Sequence, residues 1–182
     1  YGGIAGLAGG RVDNIMMRVV DIFYSIPLVL TVILLMVLMG PGLKSIFIAL
    51  GLVYWVDMAR IVRAQILYLK EQDFVLAARA MGAGTKRILF RHLIPNCMGP
   101  IIVTVTMCIP AAIFTEAFLS FIGLGVSAPA ASWGMMTSDA VVGIRSYPHM
   151  LFFPAMAIAI TMLAFNFLGD GLRDALDPQL RK

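Results

Sequence analysis

Four long stretches of the 182-residue chain are almost free of charge. A helix that crosses a bilayer needs about 20 mostly apolar residues at a rise of 1.5 Å each. The stretches at 22–43, 45–64, 96–121 and 150–168 meet that need and predict four spans. The first carries the uninterrupted apolar run Leu28 to Met39, places Pro27 in its opening turns, and ends at Gly40-Pro41-Gly42. The second is uncharged only from Ser45 to Val56, and Asp57, Arg60 and Arg63 then follow along one side of the helix end. The arginines are expected to snorkel to an interface and Asp57 to pair with Arg60, with a transport role as the alternative. The third runs through Glu116, the acid deepest in an apolar stretch.

The polar segments between these spans carry their own pattern. The stretch 66–95 reads as a structured loop in which Asp73 caps a short helix starting at Phe74 and Gly82 supplies a left-handed stop. Ala77, Ala78 and Ala80 keep a face of that helix small. Thr85 is expected to cap a second helix, Lys86 to Leu93, which should end before Pro95. The result is a helix–Gly–helix elbow with a small-residue surface and a basic second arm bearing Arg87 and Arg91. That surface suits close docking by another protein; a cationic face obeying the charge rule of membrane loops is the alternative reading of the arm. The stretch 123–149 is expected to be a loop. Gly2, Gly6 and Gly10 either line one face of a helix for close approach by another or belong to a flexible segment.

Composition sharpens this picture. Hydrophobic residues make up 60% of the chain and charged ones 13%, against about 25% charged in soluble domains, so lipid must cover much of the exterior. Net charge is +4, and its distribution assigns an orientation. Alternating spans put Arg11, Arg18, Arg60, Arg63, Lys70, Arg79, Lys86, Arg87, Arg91, Arg173, Arg181 and Lys182 on one side and only Lys44 and Arg145 on the other. The first side is therefore expected to be cytoplasmic, and with it the C-terminus. The basic balance is thus explained without nucleic acid.

Little catalytic chemistry is legible. Cys97 and Cys108 have no metal spacing, His92 and His149 fall on opposite sides, and no nucleophile–base or carboxylate pair converges. Gly82-Ala-Gly-Thr-Lys86 lacks the residue order of a phosphate-binding loop, so no ATP site is expected in this chain. Glu116 has two readings: a residue of a translocation path, or a structural acid bonded to Thr115, Ser120 or a neighbouring helix.

The loop wording then becomes specific. Phe74-Val-Leu-Ala-Ala-Arg-Ala-Met-Gly-Ala83, followed by Arg91-His-Leu-Ile-Pro-Asn96, resembles the coupling loop of ABC importer permeases of the dipeptide/oligopeptide/nickel branch. Leu76, His92 and Ile94 depart from the general consensus, which has Glu, Ile and Leu there. Glu116 to Gly125, Ser132-Trp-Gly134 and Asn166 to Pro178 are similar to the same branch, the last to its C-type subunit. The resemblance implies an all-α integral membrane protein, a type I ABC importer transmembrane domain with about four membrane helices here and two more before Tyr1. It implies that Phe74, Leu76, Ala77, Ala78, Arg79, Met81, Gly82, Ala83, Arg87 and Arg91 serve coupling to the ATPase. The implied partners are a B-type permease, two ABC ATPase subunits that bind ATP and Mg, and an extracytoplasmic binding protein that reaches the outer loop near Trp133. The implied location is the prokaryotic cytoplasmic (inner) membrane. Dipeptide, oligopeptide, nickel and other small solutes all stay open as cargo. A secondary transporter or channel subunit working without an ATPase is the rival reading.

Overall fold

A computed structural model describes residues 1–40, 42–126 and 130–176, and these are helical with no strand among them. The order is α1 (Gly2–Ala8), α2 (Gly10–Ser25), α3 (Leu28–Met39), α4 (Leu43–Leu69), α5 (Asp73–Ala80), α6 (Thr85–Arg87), a π-helical turn (Ile88–Leu93), α7 (Ile94–Asn96), α8 (Met98–Phe121), α9 (Trp133–Val142) and α10 (Pro148–Leu176). Three helices, α4, α8 and α10, are long and apolar enough to cross a membrane, and α2 with α3 makes a fourth if the broken pair is one span.

Several boundaries differ from expectation. The span at 22–43 is not one helix: α2 ends at Ser25, and Pro27 stands outside α3 as its N-cap, with φ −59° and ψ 134°. The ring of Pro27 disfavours helical geometry at Ile26, so a helix arriving from Gly10 must stop there. The break after Met39 is as expected, with Gly40 and Gly42 both at positive φ (87° and 143°); Pro41 lies outside the described residues. The helices α4 and α10 run past their predicted ends at 64 and 168, to Leu69 and Leu176. Charge ends an apolar span but does not end a helix, since Lys, Arg and Glu are good helix formers. The segment 123–149, expected as loop, contains α9, whose N-cap Ser132 accepts the Met135 N–H at 3.1 Å.

The chain forms two compact units, to which α4, α8 and α10 both contribute. The first comprises Tyr1–Ser25, Tyr54–Thr104 and the residues from Gly171 onward. Its core is Ile66 of α4, Val75 of α5, Ile88, Leu89 and Leu93 of the π turn, and Cys97, with Leu7 and Ile101 packed around it. Full burial of each such aliphatic side chain contributes about 1.5–3 kcal/mol. The opening glycines belong to a helix. A Cβ on Gly2 would strike the Ala59 carbonyl, and one on Gly6 would sit 3.0 Å from the Arg63 carbonyl and from Ile66, so α1 lies directly on α4. Gly10 is not part of that face; with Gly9 it makes the positive-φ break between α1 and α2.

The second unit comprises Ile26–Val53 and Val105–Asp170. Here α9 rests on α8 where Gly134 leaves no room for a Cβ against Ala117 and Ser120, and Gly169 of α10 does the same against Met107. Outside these contacts the helices present large apolar side chains: Val37 is 77% and Phe153 68% exposed within the chain. Such surfaces are stable against lipid or another membrane helix.

Candidate functional site

The elbow in the first unit is built from α5, Gly82 and the arm that starts at Thr85. Gln72, not Asp73, is the N-cap of α5; Asp73 occupies the first turn, where its charge favours the helix N-terminus. At the other end the Gly82 N–H donates to the Arg79 carbonyl at 2.9 Å and the Ala83 N–H to the Ala78 carbonyl at 3.0 Å, with Gly82 at φ 81°. This pair of bonds is a Schellman stop, and only glycine adopts its backbone conformation without strain.

The second arm departs from expectation in two ways. Gly84 is its N-cap rather than Thr85, and the helical path does not end before Pro95 but continues to Asn96. The π turn Ile88–Leu93 makes this possible. Proline inside an α-helix collides with the carbonyl four residues back and withholds a donor, and a wider turn just before it relieves both problems. The Asn96 side chain then donates to the His92 carbonyl at 2.6 Å and satisfies an acceptor in the disrupted ladder.

The elbow has an inner and an outer face. Val75 and Ala78 are buried, and Val75 joins the core with Ile66 and Leu93. Phe74, Leu76, Ala77, Arg79, Ala80, Met81 and Gly82 are exposed, Met81 at 81%, and Ala83 is half-buried. Ala78 is therefore an internal packing residue of the elbow, and the face open to a partner is made by its neighbours. On the arm, Arg87, Phe90 and Arg91 are exposed while Ile88 and Leu89 point inward. The elbow is thus keyed by its inner face to α4 and to the start of α8, and leaves an apolar outer face with cations beside it.

The charges after Val56 are organised by α2, which the spacing along α4 did not reveal. Arg60 does not pair with Asp57; its Nη2 donates to Asp21 Oδ1 at 2.9 Å, and its guanidinium lies 4.2 Å from the centre of the Tyr24 ring. Arg63 makes a two-pronged bond to Asp13, at 2.5 and 2.6 Å, with the carboxylate almost fully buried. Beside these pairs Val20 packs on Val56 and Ala59. An exposed i, i+3 ion pair is worth only about 0.2–0.5 kcal/mol, so for Arg60 a bond to Asp21 reinforced by the Tyr24 ring displaces it. Asp13 and Asp21 could have been noticed as acids on an amphipathic helix, but their partners are 50 and 39 residues away.

The second unit holds Glu116. The Ser120 hydroxyl donates to its Oε1 at 2.7 Å, one of the partners expected for a structural acid. The same carboxylate also lines a cavity of about 470 Å³ formed by the start of α4, the second half of α8, Ala131, Ser132, Trp133 and Met136, and Ile158. Both readings of Glu116 thus have a physical counterpart. Among the described residues no group of three or more His, Cys, Asp or Glu could hold a metal ion.

Similarity to known proteins follows the whole chain. It is 58% identical over 182 residues to the oligopeptide transport system permease protein OppC of Bacillus subtilis, covering 100% of this chain and 60% of that protein. It is 57% identical over 183 residues to the dipeptide transport system permease protein DppC of the same organism, covering 100% of this chain and 57% of that protein. The oligopeptide permease OppC of Escherichia coli K12 is 46% identical over 173 residues, covering 95% of this chain and 57% of its own length. The chain therefore spans somewhat under two thirds of these relatives. Residues 1–182 all match the family described as binding-protein-dependent transport system inner membrane component. With its apolar helices, its elbow and this end-to-end match, the chain belongs to that family and carries the type I ABC importer membrane fold.

Proposed function

We propose that this chain is one permease subunit of an ATP-driven peptide importer of the cytoplasmic membrane, of the C type, and that it is not an enzyme. The observation that carries the reading is the elbow: a motif shared with the coupling loops of these importers, anchored by its inner face and apolar on its outer one. The positive-inside asymmetry favours a cytoplasmic elbow and C-terminus, with α9 on the outer side. A B-type permease completes the translocation path. Two ABC ATPase subunits bind ATP and Mg and dock on Phe74, Leu76, Ala77 and Met81, with Arg79, Arg87 and Arg91 at the rim. An extracytoplasmic binding protein delivers the peptide.

Coupling in this reading is mechanical. Val75, Ile88, Leu89 and Leu93 lock the elbow to Ile66 of α4 and to Cys97 at the start of α8. A close-packed core transmits displacement, so an ATPase that moves the elbow moves both helix ends. The bundle needs two packings of similar energy, between which nucleotide and loaded binding protein choose.

Reconstitution tests the reading. Vesicles containing the full transporter and supplied with loaded binding protein are expected to accumulate peptide only when ATP is present on the elbow side. Uptake that proceeds equally without ATP would instead identify a channel or secondary transporter.

A further inference from the structure

The cavity of the second unit has a chemistry of its own. Its volume of about 470 Å³ falls within the range of small-molecule sites, about 300–1,000 Å³. The wall is largely aliphatic and aromatic, with Leu43, Phe47, Ile113 and Met136 among its residues, and among the described residues Glu116 is the one ionisable group lining it. Ser132 also reaches the wall, but its hydroxyl oxygen already accepts the Met135 N–H. The Ser120 hydroxyl donates to Glu116 Oε1, which fixes the direction of the carboxyl group. Among the described residues Oε2 has no hydrogen-bond partner. Trp133 contributes to the same wall, and an indole face attracts cations.

We propose that this cavity receives an ammonium group carried on an apolar body, with Glu116 accepting its N–H donors and the aliphatic wall taking the body. That is the chemistry of the amino terminus of a short peptide whose first side chain is apolar, so the inference rests on the proposed function and names the part of the cargo that this subunit holds. A ligand that presents a carboxylate to Glu116 is repelled. A divalent metal needs several hard or nitrogen donors, and among the described residues the wall offers one carboxylate. The cavity therefore selects an amine over a metal ion.

Cysteine protection in the complete transporter, in vesicles free of phosphatidylethanolamine, tests this. With Cys97→Ala and Cys108→Ala, a Met136→Cys substitution puts a thiol in the wall at a half-exposed position. Leucinamide is expected to slow its reaction with N-ethylmaleimide severalfold, and N-acetylleucinamide at the same concentration to leave it unchanged. Glu116→Gln should abolish the protection, and Glu116→Asp should retain part of it. A Val142→Cys control, 95% exposed on α9 and outside the wall, should react at one rate throughout and report that neither amide alters the reagent itself. Equal protection by both amides, or protection that survives Glu116→Gln, overturns the proposal. So does protection given by phosphatidylethanolamine but not by leucinamide, which would assign the cavity to a lipid amine. The readout needs neither ATP hydrolysis nor uptake, so its failure is distinguishable from failure of the importer reading.

Discussion

Ala77→Asp is expected to give a permease that inserts and folds normally but no longer imports. Ala77 is exposed on the outer face of α5, beside Phe74 and Met81, and takes no part in the core that holds the elbow. A carboxylate there costs the isolated chain little. Where an ATPase covers that face, as in the proposed function, the same carboxylate is desolvated without a partner, at a cost of about 3 kcal/mol or more. Each 1.4 kcal/mol is tenfold in affinity, so docking should weaken roughly hundredfold. Peptide uptake and ATPase co-purification should fall together, at unchanged permease levels. Ala78→Asp is the necessary contrast. Ala78 is 3% exposed, so the charge would be forced into the elbow's own interior, and reduced accumulation of the permease should come first.

The second large effect lies away from the elbow. Asp13→Ala removes the partner of Arg63 in a forked bond whose carboxylate side chain is only 7% exposed. Breaking a buried pair from one side typically costs 3–5 kcal/mol. Arg63 keeps 31% of its side chain in contact with the surroundings, so the lower end, about 3 kcal/mol, is expected. The thermal midpoint of the detergent-purified chain should drop markedly, and Asp13→Arg combined with Arg63→Asp should recover part of the loss. Arg18→Ala serves as the control. Arg18 is 83% exposed and lies 3.6 Å from Asp21, and such a surface pair contributes at most about 1 kcal/mol. If Asp13→Ala melts like Arg18→Ala, the α2–α4 pair is not a structural clamp.

The contrast between these two sites shows which features were legible in the sequence. The span predicted at 96–121 appears as α8, Met98–Phe121, because a long apolar run broken by a single acid, Glu116, has few other stable forms in lipid. Gly82 and Gly40 were legible as stops because their positions demand positive φ, which glycine alone meets cheaply. The family motif pointed to the elbow, and local caps located the starts of its two arms to within one residue, while the end of the second arm lay three residues beyond the expected one. What was not legible depends on distant partners. The spacing of Asp57 and Arg60 suggested a local pair, but α2 supplied better acids from another part of the chain. The alanine run promised a small outer face without telling Ala77 from Ala78, because that depends on how Val75 meets Ile66. The passage through Pro95 depends on a π turn that no periodicity announces. Pro27 is legible as a constraint, but its effect is to end a helix at Ser25 that starts as far back as Gly10, which an apolar stretch beginning at residue 22 does not reveal. For Glu116, Ser120 was foreseen as a partner, whereas the cavity needed three dimensions.

In the proposed function the outer face of this elbow is the contact through which an ATPase drives the permease. Met81 is its most exposed apolar residue, and a cysteine there, with Cys97 and Cys108 replaced, gives a direct test. In membranes carrying the whole transporter, Met81→Cys treated with a short bifunctional thiol reagent is expected to crosslink to an ATPase subunit, with a yield that changes between ATP-bound and nucleotide-free states. Val142→Cys on α9 is expected to give no such product. Crosslinking of Val142→Cys but not of Met81→Cys to the ATPase would contradict the account, both in the orientation of the chain and in the role of the elbow.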